Sequence, residues 1–499
     1  MNDNSMRKRV THNACTSVLA GSKATTDGSV MIARTEDNYY AAAPKYIDVV
    51  PAKVWDHETF VSVHNGFTMK LNGPACGYTT TPDGDPVEGL YEEAGINTYG
   101  VAMSATESTY TRPQALAADP LVEHGIAEDA MVSVVLPFIT SAREGVIRLG
   151  SIIAEYGNAE SNGVLFADAH EAWYMELVTG RHWVAKRLGD AHVAVCPNRI
   201  TLDEVNLADD DVLASQGIAA YIAKYHLNPD VEDRASCACQ TQTSFNVRHV
   251  FGTYSEADIY YNAPRQWYGM RYLQSHAVEL HDVEEYENPQ ELDRPFSLEP
   301  GRLISADDIA FVLSSHYNKT RFDRLSALGD ESTRAKYRAI SLSRTQEGHI
   351  LQMRPNVTGQ LAGVHWVALG PTAFTPFLPI FGCVNRMHDA WKTAGSTPTY
   401  DSAYWTFRML AVLAESKYRQ TSSMMERYLN MCNQRSHAFI AQIDEECGTL
   451  SGQELVERVT ERNVAFLDEM LELCRTQIGK LLIACAEKSE LTFEFDKNL

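Results

Sequence analysis

The 499-residue chain contains no GxSxG elbow, no HExxH pair, no GxxxxGKS/T phosphate loop and no GxGxxG opening a βα unit. Those absences remove serine hydrolases of the elbow type, zinc peptidases, P-loop nucleotide hydrolases and dinucleotide enzymes. No run of 18 apolar residues is present, so no membrane span is expected. Residues 1–14 include Arg7, Lys8 and Arg9 but no apolar signal core, and a cytoplasmic location is expected. Basic charge is scarce: 43 Lys and Arg stand against 65 Asp and Glu, a formal net charge of −22. Nucleic acid and anionic membrane both need a basic surface, so neither is expected as a partner. A small-molecule or peptide substrate fits this balance better.

Metal-ligand spacing is also missing. Among ten cysteines, the close pair Cys237-Ala-Cys239 is tighter than zinc ligands require and has no matching second pair. The sixteen histidines do not cluster, and His170-Glu171 reads as a solvated turn. The cysteines read as reduced core residues. No metal and no organic cofactor is expected.

What is present is a globular composition, 44% apolar and 22% charged, large enough for a sizeable core. Apolar runs at Cys15–Ala20 and Ser29–Thr35 flank a Gly-, Thr- and Asp-rich stretch from Gly21 to Gly28, the pattern of two strands and a loop. A symmetric hairpin places Ala20 opposite Ser29 and Cys15 opposite Arg34. A thiol beside a guanidinium fits a nucleophile; from the hairpin alone, a buried cysteine that happens to begin a strand is the more ordinary reading.

Further along, Tyr46–Val50, Phe60–Val63, Gly77–Thr81 and Gly100–Glu107 read as strands. Residues 121–156 have helical spacing divided at Pro137. Val164–Ala167, Ala172–Val178, His182–Leu188 and His192–Cys196 form an antiparallel meander, and residues 201–245 pass over the surface as loops and a helix. Ser305 caps a helix to His316. A second β region covers Tyr337–Ser343, His349–Met353, Val364–Leu369 and Phe377–Phe381. From about Tyr400 the pattern is helical, with a stripe through Leu455, Val459, Leu467, Met470, Leu471, Cys474, Ile478, Leu481 and Leu482 that serves either an internal core or contact in a homo-oligomer. Blocks of helices alternating with two antiparallel regions predict an α+β fold.

The run from Cys15 through Thr16-Ser17-Val18-Leu19-Ala20-Gly21, Asp27-Gly28-Ser29 and Ala33-Arg34-Thr35-Glu36-Asp37-Asn38 resembles the start of the C69 family dipeptidases. Gly95-Ile96-Asn97, Gly100–Ser108, Ser141–Gly145, Asp168–Glu176, Tyr261–Gly269 and Gly363–Trp366 carry the resemblance across the chain. It implies a four-layer αββα sandwich of the N-terminal nucleophile hydrolase type at residues 15–399. Residues 400–499 would be a helical extension and residues 1–14 a propeptide. Many relatives place the nucleophile directly after the initiator methionine, whereas Cys15 is internal, so the bond Ala14–Cys15 must break to free the α-amino base.

By the same resemblance Asp37 orients that amine. Distant similarity to choloylglycine acylases offers Asn198 as an oxyanion donor. Arg265 is a candidate for holding the substrate carboxylate or an active-site acid, and Glu107 for meeting the substrate ammonium. The expected activity is dipeptide hydrolysis through a Cys15 thioester. Alternatives are hydrolysis of acylated amino acids or similar amides on the same fold, and a non-hydrolytic secernin-like protein.

Overall fold

The computed structural model describes residues 15–231, 243–275 and 288–488, apart from 86, 88, 335 and 358. Residues 1–14 and the pair Cys237 and Cys239 lie outside them.

Two antiparallel sheets dominate the chain. In order, their strands are β1 (Thr16–Ala20), β2 (Val30–Asp37), β3 (Ala94–Ile96), β4 (Ala102–Ser108), β5 (Asn162–Ala167), β6 (Ala172–Leu177), β7 (Trp183–Arg187), β8 (Val193–Pro197), β9 (Val212–Ala214), β10 (Ser297–Leu298), β11 (Thr345–Met353), β12 (Gly363–Leu369) and β13 (Leu378–Phe381). The seven-stranded sheet runs β10-β8-β1-β2-β11-β12-β13 and the six-stranded sheet β9-β7-β6-β5-β4-β3. Every residue of β1 and β2 is buried, because both faces of their sheet are covered.

Strand alternation sorts the apolar residues into three cores. Val18, Ala20, Met31, Ala33, Val193 and Val195 pack with helices α3 (Ala263–Gln274), α4 (Ala306–Leu313), α5 (Ala403–Ser416), α6 (Tyr418–Cys447) and α7 (Gly452–Glu487), where the α1 and α2 labels belong to Glu128–Val135 and Ala142–Tyr156. The opposite residues Leu19, Val30, Ile32, Ala194 and Cys196 meet Leu165, Ala167 and Tyr174 of the second sheet. The far face of that second sheet, including Met103, Phe166 and Met175, packs against α1 and α2. Gly145 on α2 permits this contact, since a Cβ there would stand 2.4 Å from the Phe166 ring. The C-terminal stripe from Leu455 to Leu481 is buried in the first core, while Leu482 is exposed, and Asn463 fastens α7 to β13 by accepting from Phe381 N at 2.9 Å and donating to Pro379 O at 3.1 Å.

Three local readings need correction. The β1–β2 ladder pairs Thr16 with Thr35 and Ser17 with Arg34, so Arg34 is not directly opposite Cys15. Ser29 is drawn into the loop, where its amide donates to Asp27 Oδ1 at 3.0 Å and its carbonyl accepts from Thr25 Oγ1 at 2.8 Å. Residues 337–343 are irregular; their expected β pairing is replaced by side-chain anchoring, with the Arg338 carbonyl held by Tyr317 Oη at 2.6 Å. An exposed hairpin, Lys53–Val61 with Thr68–Ala75, replaces the short strand expected at residues 60–63.

Among the described residues, no helix is long and apolar enough to cross a membrane.

Candidate active site around Cys15

A two-residue slip in an antiparallel ladder keeps every side chain on its face, whereas a one-residue slip would invert them. Arg34 therefore still reaches the thiol. It pairs with Ser17, whose side chain shares the face of Cys15, and its Nη1 donates to Cys15 Sγ at 3.3 Å. Cys15 is 1% exposed.

Arg34 is held on every side. Its Nε donates to Ser104 Oγ on β4 at 2.9 Å, and its Nη2 donates to the Glu93 carbonyl at 3.1 Å and to the Glu93 carboxylate. On the other flank, β11 sets His349 opposite Arg34 in register. Ser104 Oγ accepts from Arg34, so its own proton turns to His349 Nε2 at 2.8 Å, and His349 Nδ1 then donates to Glu347 Oε1 at 2.8 Å. Burial, reinforced by Arg34 and Lys45, holds the imidazole pKa far below its usual value and keeps it neutral. Carboxylate, imidazole, hydroxyl, guanidinium and thiol thus form one buried chain.

The electrostatics oppose a resting thiolate. Burial drives the Cys15 thiol well above its ordinary pKa; Arg34 is the strongest influence in the other direction, and Glu107, Glu128 and Glu93 add to the rise. The acids around Arg34 are raised too: burial and then Glu36 push Glu93 up to about 8, and burial takes Glu347 to about 7. A thiol held this way would act as a nucleophile only with a base beside it.

On the other side of β1, Arg265 engages all five of its N–H donors within the protein. Nε donates to Tyr261 O at 2.8 Å, Nη1 to Cys15 O and to Thr16 Oγ1 at 2.8 Å, and Nη2 to Asn198 Oδ1 at 2.8 Å and Asn262 Oδ1 at 2.6 Å. None is left for a ligand carboxylate. Asn198, just past β8, donates from Nδ2 to Ser108 O at 3.0 Å, while its carbonyl accepts from Asn262 Nδ2 at 2.9 Å. Asp37 lies on the face of Thr16 rather than that of the thiol, and its carboxylate accepts from Arg338 and Thr345 Oγ1. Glu107 Oε2 accepts from Ser17 Oγ at 2.6 Å, and its buried Oε1 has no hydrogen-bond partner.

Five of the residues singled out from the sequence thus surround the sixth, Cys15, at the start of β1: Arg34 and Glu107 on the thiol face, Arg265 through the Cys15 carbonyl with Asn198 held by Arg265, and Asp37 at the end of β2. The sequence reading missed Glu93, Ser104, Glu347, His349 and Arg338. Only the parity of 347 and 349 within one strand could have hinted that two of them share a face. Among the described residues, no group of three His, Cys, Asp or Glu is placed to hold a metal ion.

Comparison with known proteins bears on this site. The family model for peptidase family C69 matches residues 14–430. A protein of Latilactobacillus sakei named probable dipeptidase is 39% identical over 495 residues, spanning 99% of this chain and 100% of that protein. A dipeptidase of Bifidobacterium longum (strain NCC 2705) is 36% identical over 88% of this chain and 84% of its own length. Dipeptidase A of Lactobacillus helveticus is 33% identical over 94% and 96% of the two chains. With a family match across most of its length and full-length relatives above 30% identity, the chain belongs to peptidase family C69.

Proposed function

We propose that this peptide hydrolase is a dipeptidase that acts through a thioester on Cys15, with the α-amino group of Cys15 as base once residues 1–14 are removed. The observation that carries the reading is the buried Cys15 thiol at the head of β1, hydrogen-bonded to Arg34 at 3.3 Å in a chain whose family match begins at residue 14. Its dipeptidase-named relatives support the substrate class. The two sheets with their shared core, and a core on each outer face, fit the αββα layering of N-terminal nucleophile hydrolases.

An α-amine has a pKa of about 7.7–8.0 and an ordinary thiol about 8.5, a near match for proton transfer; burial raises the Cys15 thiol above that range, and Arg34 is the strongest influence that offsets the rise. The amine takes the thiol proton as sulfur attacks the scissile carbonyl carbon. The resulting oxyanion needs donors, and Asn198 Nδ2 has one N–H beyond that given to Ser108 O. Collapse breaks the C–N bond, the ammonium returns its proton to the leaving amine, and water then hydrolyses the thioester by the same base. Arg265 fixes the Cys15 carbonyl against Asn198, and Asp37, itself held by Arg338 and Thr345, directs the new amine.

Glu107 supplies the negative pole for the substrate ammonium. Burial pushes its carboxyl up to about 7, with Arg265 the strongest opposing influence. A carboxyl with a raised pKa is neutral below that value and charged above it, so its attraction for an ammonium is present above about pH 7 and lost below. Glu107→Gln is therefore expected to raise KM for a dipeptide about tenfold at pH 8 and much less at pH 6. An equal rise at both pH values contradicts this role.

The substrate class is tested by steady-state kinetics on a panel of dipeptides beside N-acylated amino acids. Dipeptides are expected to lead by about tenfold or more in kcat/KM. Preference for the acylated compounds would overturn the dipeptidase reading in favour of an amidohydrolase on the same fold.

A further inference from the structure

We propose that Arg199 is the anchor for the C-terminal carboxylate of the substrate, an inference that rests on the dipeptidase reading. Arg199 is 1% exposed, yet none of its Nε, Nη1 and Nη2 atoms has a hydrogen-bond partner. A guanidinium is always charged and carries five donors. Burying one without an acceptor is costly, and an anion seated against it removes that cost.

Two of the neighbouring carboxylates are committed elsewhere. Asp258 accepts from Thr253 Oγ1, from the amide and hydroxyl of Ser255, and from Asn262 Nδ2. Asp293 accepts from Tyr254 Oη at 2.9 Å, and its side chain is more than half exposed. Glu176 gives Oε1 to the Thr201 and Leu202 amides and leaves Oε2 unpartnered, and burial pushes its carboxyl up to about 7. The second guanidinium nearby, Arg248, donates to Leu292 O and Thr201 O and adds positive charge rather than relieving it. The ring of Tyr254 stands 5.9 Å from the Arg199 guanidinium carbon and forms an aromatic wall to the site.

Position in the chain ties this cation to the chemistry. The β1–β8 ladder ends with Thr16 opposite Pro197. The chain then bends at Asn198 and Arg199, and Arg265 links the Asn198 side-chain carbonyl to the Cys15 carbonyl, so Arg199 directly follows a residue held beside the thiol's own backbone. In a dipeptide the carboxylate carbon lies within about 4 Å of the scissile carbonyl carbon. An arginine one residue beyond the proposed oxyanion donor is thus suited to the terminal carboxylate. Arg265, whose donors are all engaged, is not. With Glu107 at the amino end and Arg199 at the carboxyl end, the site would measure the length of a dipeptide by its two charges.

The test compares a dipeptide with its own C-terminal amide as substrates for wild type, Arg199→Gln and Arg199→Lys, with thermal melting as a check on folding. Wild type is expected to prefer the free acid on the order of 100-fold in kcat/KM, mainly through KM. In Arg199→Gln the ratio between the two substrates is expected to collapse toward one, and Arg199→Lys to restore part of it. Equal losses on both substrates would mark a structural pairing with Glu176 and overturn the proposal. So would a wild-type ratio that survives Arg199→Gln, and the dipeptidase reading would then stand. A wild type that cleaves neither substrate would overturn that reading, and this proposal with it.

Discussion

Cys15→Ala is expected to lower kcat/KM for a dipeptide by about 10⁴-fold or more, with little change in fold. The size follows from the covalent route: without sulfur no thioester forms, and the remaining groups can only bind and polarise the substrate. The fold is expected to survive because, among the described residues, the thiol takes part in a single hydrogen bond, accepting an N–H from Arg34. Leaving that donor unsatisfied costs about 1–3 kcal/mol. Cys15→Ser separates the two effects, since its oxygen still accepts from Arg34 while being a poorer nucleophile. Both variants are checked by kinetics alongside a thermal melt. Retention of more than about a tenth of wild-type activity in Cys15→Ala would remove the thioester from the mechanism.

Arg34→Gln is expected to damage both stability and chemistry. One guanidinium serves Cys15, Ser104 and the carbonyl and carboxylate of Glu93, all buried, and a glutamine cannot reach all of them. Breaking a buried ion pair from one side costs about 3–5 kcal/mol, and Glu93, already raised to about 8 chiefly by burial, is expected to take up a proton in response. For the chemistry the sign is fixed by the thiol's surroundings. Arg34 is the leading influence that lowers the Cys15 pKa, so its loss leaves burial, Glu107 and Glu128 unopposed. The pH midpoint for alkylation of Cys15 by iodoacetamide is expected to move upward, and kcat/KM to fall on the order of 100-fold. Arg34→Lys keeps the charge but loses the fork geometry, so it is expected to recover much of the alkylation midpoint and less of the stability. An unmoved midpoint in Arg34→Gln would show that the guanidinium does not act on the thiol.

The relation of Cys15 to Arg34 was legible in the sequence because face is set by parity, and parity survives an error of two residues in register. The register itself was not legible, since it depends on how Ser29 is caught by Asp27 and Thr25 inside the loop. Asn198 was legible as the residue just past a strand. The groups that support Arg34 were not: Ser104 meets His349 across 245 residues of sequence, a contact that no local pattern encodes. Arg265 shows the opposite difficulty. Its residue type fitted a carboxylate ligand, but its placement on α3 beside Cys15, Asn198 and Asn262 engages every donor. The hairpin Lys53–Val61 escaped notice because it is largely exposed and carries no buried alternation to read.

The proposed base exists only after the bond between Ala14 and Cys15 is cut. The most direct measurement is the intact mass of purified wild-type protein beside that of Cys15→Ala, with dipeptide hydrolysis assayed on the same samples. Wild type is expected to lack residues 1–14 and to begin at Cys15, and the variant to retain them. A wild type that keeps its full N-terminus and still hydrolyses dipeptides would contradict the proposed base.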